Sequence, residues 1–190
     1  MRKSAIGLMF FLVVSCGTAP EPKVEPVSLP AMRWDFHAEG AAWTQATLAA
    51  LDGHGAALVS FVPSDVGSYC PAYAENGPDD RAAFWSGLFS ALAKHESTWN
   101  PEAVGGGGRW FGLTQIDPRS ADWFGCNVTT GDALKNGPDN LSCAVRIATK
   151  QVLRRGTVTR GMRDWGPFHS SSKRDDMSGW TSRQSYCRAS

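Results

Sequence analysis

Residues 94–101 read KHESTWNP and residues 110–116 read WFGLTQI, and these two stretches decide how the chain folds. Four apolar residues precede Glu96 at intervals of three or four positions, namely Trp85, Leu88, Phe89 and Leu92. At about 3.6 residues per turn, all four share one helix face with Glu96. We therefore predict a helix that ends at Glu96 and carries this acid to the surface at the end of its buried face.

The position of Glu96 predicts an unusual acidity. A carboxylate beside apolar walls is desolvated, which disfavours its charged form and raises its pKa. A carboxyl that keeps its proton near neutral pH can act as a general acid, as cleavage of a glycosidic bond requires. The alternative is an ordinary solvated Glu in the last turn of a helix.

The segment after Glu96 favours the catalytic interpretation. Asn100-Pro101 should end the helix, because Pro cannot continue it and disfavours helical geometry at the preceding residue. The glycines at 105–108 let the backbone turn freely and approach other groups closely. Residues 112–116 then bring the Gln115 amide back toward the end of the helix.

Two motifs in this region resemble the lytic transglycosylase (SLT) domain of the lysozyme-like superfamily. They are Glu-Ser-x-x-Asn-Pro at residues 96–101 and Gly-Leu-x-Gln-Ile-x-Pro at residues 112–118, and the likeness covers roughly residues 80–155. In that family the Glu is the sole catalytic acid/base and the Gln lines the glycan cleft, which implies these roles for Glu96 and Gln115. The stretch that begins at Asn140 resembles the family's later helix start, which is mainly structural.

The chain departs from the family at two points. Thr114 stands where the family usually has Met. The family's Ala-Tyr-Asn-x-Gly stretch, whose Tyr supports the catalytic Glu, is missing from the sequence. Residues 164–169 (DWGPFH) lie at about the expected place and contain no Tyr. This second departure bears on the reaction outcome more than on the substrate.

The resemblance implies a mainly α, lysozyme-like single domain with a two-lobed glycan cleft. It implies an enzyme that cleaves the MurNAc-GlcNAc bond of peptidoglycan by lytic transglycosylation and forms 1,6-anhydro-muramyl products, with Glu96 as the single acid/base. The partners would be peptidoglycan glycan strands, and the protein would act as a monomer without a cofactor or a metal. For substrate binding we select Gln115, Ser97, Trp110 and Trp165, although core packing is an alternative for Trp165.

Two other functions stay open. A lysozyme-type peptidoglycan hydrolase usually needs a second carboxylate near the first. Asp117 is the nearest candidate, although its place before Pro118 also suits a turn or a helix cap. A non-catalytic wall-binding lipoprotein would keep the groove without the activity, and the intact motif around Glu96 argues against it.

The N-terminus has the pattern of a lipoprotein signal peptide. Arg2-Lys3 precede an apolar run at residues 5–14, and Val-Val-Ser then precedes Cys16. We predict a signal peptide at 1–15, a lipidated Cys16 with a Pro-rich tether at 16–32, and the catalytic domain at 33–190. The alternative is an ordinary signal peptide with an incidental Cys.

Sorting and charge agree with an exported wall protein. Gly17, rather than Asp, follows Cys16 and resembles the outer-membrane pattern, so we expect a lipid-anchored protein on the periplasmic face of the outer membrane. Removal of Arg2 and Lys3 would lower the Lys and Arg count from 19 to 17 against 18 acids, a formal charge of −1. Nothing indicates nucleic acid, which would require a clustered basic face.

Four cysteines remain for the domain, and an even number in an exported chain predicts two disulfides. Three connectivities are possible. We favour Cys126–Cys143, which closes a local loop, together with Cys70–Cys187, which ties both ends of the domain. Zinc is the alternative, but the chain has no Cys-x-x-Cys pair and no paired His spacing.

Helical patterns lie at residues 43–51, before Glu96 and at residues 141–153, and Asp79-Asp80 are expected to cap the long helix. A short apolar segment spans 55–62. Residues 161–186 have weak periodicity, and no alternating strand pattern occurs.

Overall fold

The computed structural model describes residues 28–188, so the predicted signal peptide and Cys16 lie outside the described residues. The described part is mainly helical. Its helices are α1 (Gly40–Asp52), α2 (Ala56–Ser60), α3 (Pro78–Glu96), α4 (Pro118–Phe124), α5 (Gly137–Arg155), α6 (Val158–Gly161) and α7 (Ser171–Thr181). No helix within residues 28–188 combines the length and apolarity needed to cross a membrane.

Helix α3 runs through the core and ends at Glu96, as predicted. The four apolar residues of the predicted face are fully buried. Every residue from Ala83 to Ala93 is buried as well, because α1, α2 and α7 pack around this helix. One expectation is wrong at the other end: Asp79 and Asp80 lie in the first turn, and the N-cap is Gly77. Pro78 explains the shift, since Pro suits the first helical position, and the two acids still favour the positive end of the helix.

Helices α1 and α5 form the second packed pair, and both begin earlier than their periodicity suggests. Helix α5 starts at Gly137 because the Asn136 side chain caps it by accepting a hydrogen bond from the Asp139 amide. It ends at Arg155, and Gly156, with a φ of +76°, forms its left-handed C-cap. A helix start set by caps rather than by apolar spacing explains the residues that the pattern missed.

Several elements were not predicted. Strands β1 (Val104–Gly105) and β2 (Trp110–Phe111) form an antiparallel hairpin too short for an alternating pattern to appear. Helix α4 lies directly after the second motif and α7 lies in the segment of weak periodicity. The Ser170 side chain accepts from the Lys173 amide and caps α7.

Both predicted disulfides are present. Cys70–Cys187 joins the loop before α3 to the end of the described chain, and Cys126–Cys143 joins the end of α4 to α5. All four sulfurs are therefore bonded in pairs and are not free to bind zinc.

The chain before residue 33 already lies against the domain. Met32 is buried, and the carbonyl oxygen of Ala31 accepts a hydrogen bond from the Tyr186 hydroxyl at 3.1 Å. The last residues of the predicted tether therefore contact the folded domain.

Candidate active site

Glu96 is the last residue of α3, and the chain reverses immediately after it. The helix ends before Asn100-Pro101 rather than because of them. Thr98 and Trp99 adopt positive φ angles of 53° and 58°, which are strained for residues with a side chain. The Trp99 indole N–H donates to the carbonyl oxygen of Ser90 at 2.9 Å and holds the reversal against the helix.

The Glu96 carboxyl is largely buried. Its Oε1 is inaccessible to solvent and has no hydrogen-bond partner among residues 28–188. Burial raises the Glu96 pKa from 4.5 to about 7, while Lys173 and the Gly166 backbone N–H lower it by smaller amounts. Near neutral pH a large fraction of the molecules therefore carries a protonated Glu96, as the sequence predicted.

The segment at residues 164–169 contacts Glu96 through the backbone. The Gly166 backbone N–H lies close enough to the Glu96 carboxyl to lower its pKa. All tyrosines of the chain lie elsewhere, since the hydroxyls of Tyr69, Tyr73 and Tyr186 bond to Thr159, to carbonyls at residues 58–61 and to Ala31.

Asn140 is fully buried and holds the loop at residues 112–116, here called the motif loop, through hydrogen bonds. Its side-chain oxygen accepts hydrogen bonds from the Thr114 amide (2.9 Å) and the Thr114 hydroxyl (2.7 Å). Its NH2 group donates to the carbonyl oxygens of Phe111 and Leu134. These bonds confirm the structural role of Asn140. They also explain why Thr114 can replace the family's Met: its buried hydroxyl is fully satisfied.

Gln115 braces the hairpin. Its NH2 group donates to the carbonyl oxygens of Ala103 (3.1 Å) and Gly112 (3.0 Å), so both protons are used within the protein. Its Oε1 lies beside Gly105, where an added Cβ would approach it to 2.2 Å. The group that Gln115 can offer to a substrate is therefore its carbonyl oxygen, an acceptor for a sugar N–H or O–H.

Ser97 ties the end of α3 to the same loop. Its hydroxyl donates to the carbonyl oxygen of Leu113 at 2.9 Å and also approaches the Ala93 carbonyl. This bond sets the distance between Glu96 and the motif loop. Because the Ser97 hydroxyl proton is used within the protein, the geometry disfavours Ser97 as a donor to substrate.

Trp110 and Trp165 differ in their environments. Trp110 is 41% exposed and lines a pocket of about 250 Å³ together with Gln115 and Asp117. Trp165 is only 4% exposed, donates its indole N–H to the Thr114 carbonyl (2.9 Å) and meets Phe89 edge-on. For Trp165 the structure favours core packing, although one edge lines the pocket.

Glu96 does not line this pocket but lies next to it. The Trp165–Gly166 peptide connects the two, because Trp165 lines the pocket and the Gly166 N–H faces the carboxyl. An acid therefore stands beside an open pocket with a partly exposed indole and an amide oxygen in its wall.

Asp117 has the opposite electrostatic setting to Glu96. It caps α4 by accepting from the Arg119 amide (2.9 Å), and its Oδ2 also accepts from Arg109 Nε (2.8 Å) and the Arg119 guanidinium (3.2 Å). The Arg109 hydrogen bond, followed by those from Arg119, lowers the Asp117 pKa to about 2. Such a carboxylate stays ionised and is a weak base. Sequence reasoning had placed Asp117 as a cap or second carboxylate, but it did not find the two arginines.

Comparison with known proteins now adds to this geometry. The family model described as "Transglycosylase SLT domain" matches residues 75–159. Residues 75–159 are therefore similar to an SLT-type domain. The SLT match contains Glu96, Gln115 and Asn140 and ends before the segment that carries Gly166. Comparison with curated protein sequences finds no match.

Solved structures of one protein, DslA, have the same fold. A Glu→Gln variant of DslA matches with a TM-score of 0.76 at 24% identity, and a wild-type form with 0.74 at 24% identity. A second Glu→Gln variant has a TM-score of 0.74 at 25% identity. Each match covers 85% of this chain and 100% of DslA. The predicted mainly α, lysozyme-like fold of the SLT type, with its two disulfides, is confirmed.

Proposed function

We propose that this protein cleaves the glycosidic bond between N-acetylmuramic acid and N-acetylglucosamine in peptidoglycan by lytic transglycosylation, with Glu96 as both acid and base. The SLT match supports the coarser statement, a lytic transglycosylase acting on peptidoglycan. The observation that carries the finer one is the Glu96 carboxyl, which is buried, lacks a partner on Oε1 and has a pKa of about 7.

In the first step Glu96 donates its proton to the glycosidic oxygen. The bond from C1 of the muramyl sugar to that oxygen breaks, and the departing N-acetylglucosamine leaves as an alcohol. Positive charge then develops at C1, while Glu96 becomes a carboxylate. The Gly166 N–H and the positive charge of Lys173 favour this carboxylate, since both lower the Glu96 pKa.

In the second step the same carboxylate acts as the base. It removes the proton from the 6-hydroxyl of the muramyl sugar as that oxygen bonds to C1 and closes the 1,6-anhydro ring. Glu96 is protonated again and no water is consumed. Both steps use one group whose pKa lies near the working pH, which is the condition under which general acid–base catalysis is most efficient.

The setting of Asp117 favours this route over hydrolysis. A hydrolase needs a second carboxylate to activate water or to attack C1. Arg109 and Arg119 lower the Asp117 pKa to about 2, which makes it a poor base for activating water, and both its oxygens are already engaged as hydrogen-bond acceptors. The intramolecular route needs no second carboxylate.

Digestion of purified sacculi, followed by mass spectrometry of the released muropeptides, tests the proposal. Wild-type protein should release anhydro-muropeptides, and Glu96→Gln should lower turnover by about 10²–10⁴-fold or more, because the amide cannot donate the proton. Glu75→Gln, which removes an exposed carboxylate, is the matched control.

Two results would contradict the proposal. Products with free reducing ends would assign a hydrolase, and Asp117→Asn would then be the next variant. Binding to sacculi without any released product, in wild type as in Glu96→Gln, would assign a wall-binding protein.

We further propose that Cys16 is lipidated and that residues 16–32 tether the domain at the periplasmic face of the outer membrane. The signal-peptide pattern at residues 1–15 supports this proposal. One acyl chain anchors only marginally, so several chains are expected. Wild type and Cys16→Ala are expressed with labelled fatty acid, and equal labelling of the two would overturn the anchor.

A further inference from the structure

Trp123 on α4 presents an indole to solvent. It is 74% exposed, and its ring meets that of Phe124 edge-on, with ring centroids 4.7 Å apart. A single exposed aromatic residue needs no explanation by itself. Its surroundings, however, are arranged as a binding site.

The geometry points to a second saccharide site at Trp123, where the indole stacks on a sugar of the peptidoglycan strand whose scissile bond lies at Glu96. This inference rests on the proposed function and extends it by assigning a glycan contact remote from the reacting bond.

The surface around Trp123 adjoins the pocket that Trp110 lines. Trp123 lines an open groove of about 380 Å³, and this groove shares Asp117, Ser120 and Phe124 with the pocket below Trp110. The pocket and the groove therefore adjoin along these three residues. A polymeric substrate can occupy both depressions at once.

The groove also holds two hydrogen-bond donors. Arg109 and Arg119 line the groove, and both guanidiniums are held by Asp117. Arg109 donates to Asp117 through Nε, and its terminal NH2 groups make no hydrogen bond within residues 28–188. A preorganised guanidinium loses little freedom when it donates to a ligand. The Asp117 pKa of about 2 keeps this arrangement ionised at every working pH.

The side chains of the groove complement a sugar ring chemically. A pyranose ring has an apolar face of C–H groups and a polar rim of hydroxyl and N-acetyl groups. The indole matches the face, and the two arginines match the acceptors of the rim. Arg109, Arg119 and Asp117 together carry one net positive charge, which also suits the carboxylates of peptidoglycan.

Binding measurements on full-length protein with Glu96→Gln, in which cleavage is blocked, test the site. The probes are long glycan strands from sacculi and a tetrasaccharide that carries one disaccharide unit on each side of the bond. We expect Trp123→Ala to weaken binding of long strands about tenfold, equivalent to about 1.4 kcal/mol. Binding of the tetrasaccharide should stay unchanged, and Trp123→Phe should restore most of the affinity for long strands.

Leu153→Ala on α5 is the control, because Leu153 is 41% exposed and lines neither depression. Unchanged long-strand binding in Trp123→Ala would overturn the site, and so would equal losses for long and short probes. The proposed function is judged separately, by muropeptide release from wild type. If wild type releases anhydro-muropeptides and Trp123→Ala binds strands normally, the proposed function stands and the Trp123 site is refuted. If long-strand binding depends on Trp123 but wild type releases no anhydro-muropeptides, the Trp123 site stands and the proposed function is refuted.

Discussion

Replacement of Glu96 by Gln should stabilise the folded protein, and the gain should grow with pH. Burial raises the Glu96 pKa from 4.5 to about 7, so the folded protein holds this proton more tightly than the unfolded chain does. Below pH 4.5 the carboxyl is protonated in both states. As the pH rises through about 7, the folded protein must bury a charge, and the stability that the proton conferred is lost.

The size of this effect follows from the pKa difference. Each pKa unit corresponds to about 1.4 kcal/mol, so the change from 4.5 to about 7 sets an upper value of about 3 kcal/mol. For a domain of this size, about 2–4 °C of melting temperature corresponds to 1 kcal/mol. The melting temperature of Glu96→Gln minus that of wild type should therefore be larger at about pH 9 than at about pH 5, by up to about 6–12 °C.

Thermal unfolding of both proteins across this pH range measures the effect. Burial of an amide adds a cost that does not depend on pH, so the change of the difference with pH isolates the charge. Glu75→Gln serves as control, since its carboxylate is exposed and should give a constant offset. A difference between wild type and Glu96→Gln that stays constant from about pH 5 to about pH 9 would refute the desolvation argument.

Two further predictions concern the framework around the site. Asn140→Ala should lower the free energy of unfolding by about 2–4 kcal/mol, because it leaves the buried Thr114 amide and hydroxyl without their acceptor; urea denaturation measures this loss, and a loss below about 1 kcal/mol would contradict it. Loss of Cys70–Cys187, which spans 117 residues, should destabilise more than loss of Cys126–Cys143, which spans 17. Loop entropy gives about 5 and about 3 kcal/mol, and paired Cys→Ala variants with the reverse order of urea midpoints would contradict this ranking.

The helix that carries Glu96 and both disulfides were predicted correctly. The helix that ends at Glu96 was found because its apolar residues recur at helical spacing and its acid lies on the same face. The disulfides followed from an even cysteine count and one short loop. Helix starts were less accurate, because caps such as Asn136 and prolines such as Pro78 decide them rather than apolar spacing.

Features that depend on distant partners were not found. Thr114 and Asn140 lie 26 positions apart and contact each other only in the fold. No pattern indicated that the Gly166 backbone N–H would lower the pKa of Glu96, 70 positions away in the chain. Trp110 and Trp165 look alike as letters, yet one is half-exposed and the other is core.

The sequence by itself determined which carboxyl would be buried, because the apolar residues before Glu96 recur at helical spacing and share its helix face. Only the tertiary structure decided how the two acids of the region differ in charge. It leaves Glu96 Oε1 without a partner and surrounds Asp117 with two guanidiniums. The physical reason is that a pKa depends on the solvent and charges around a group in space, and chain folding sets both.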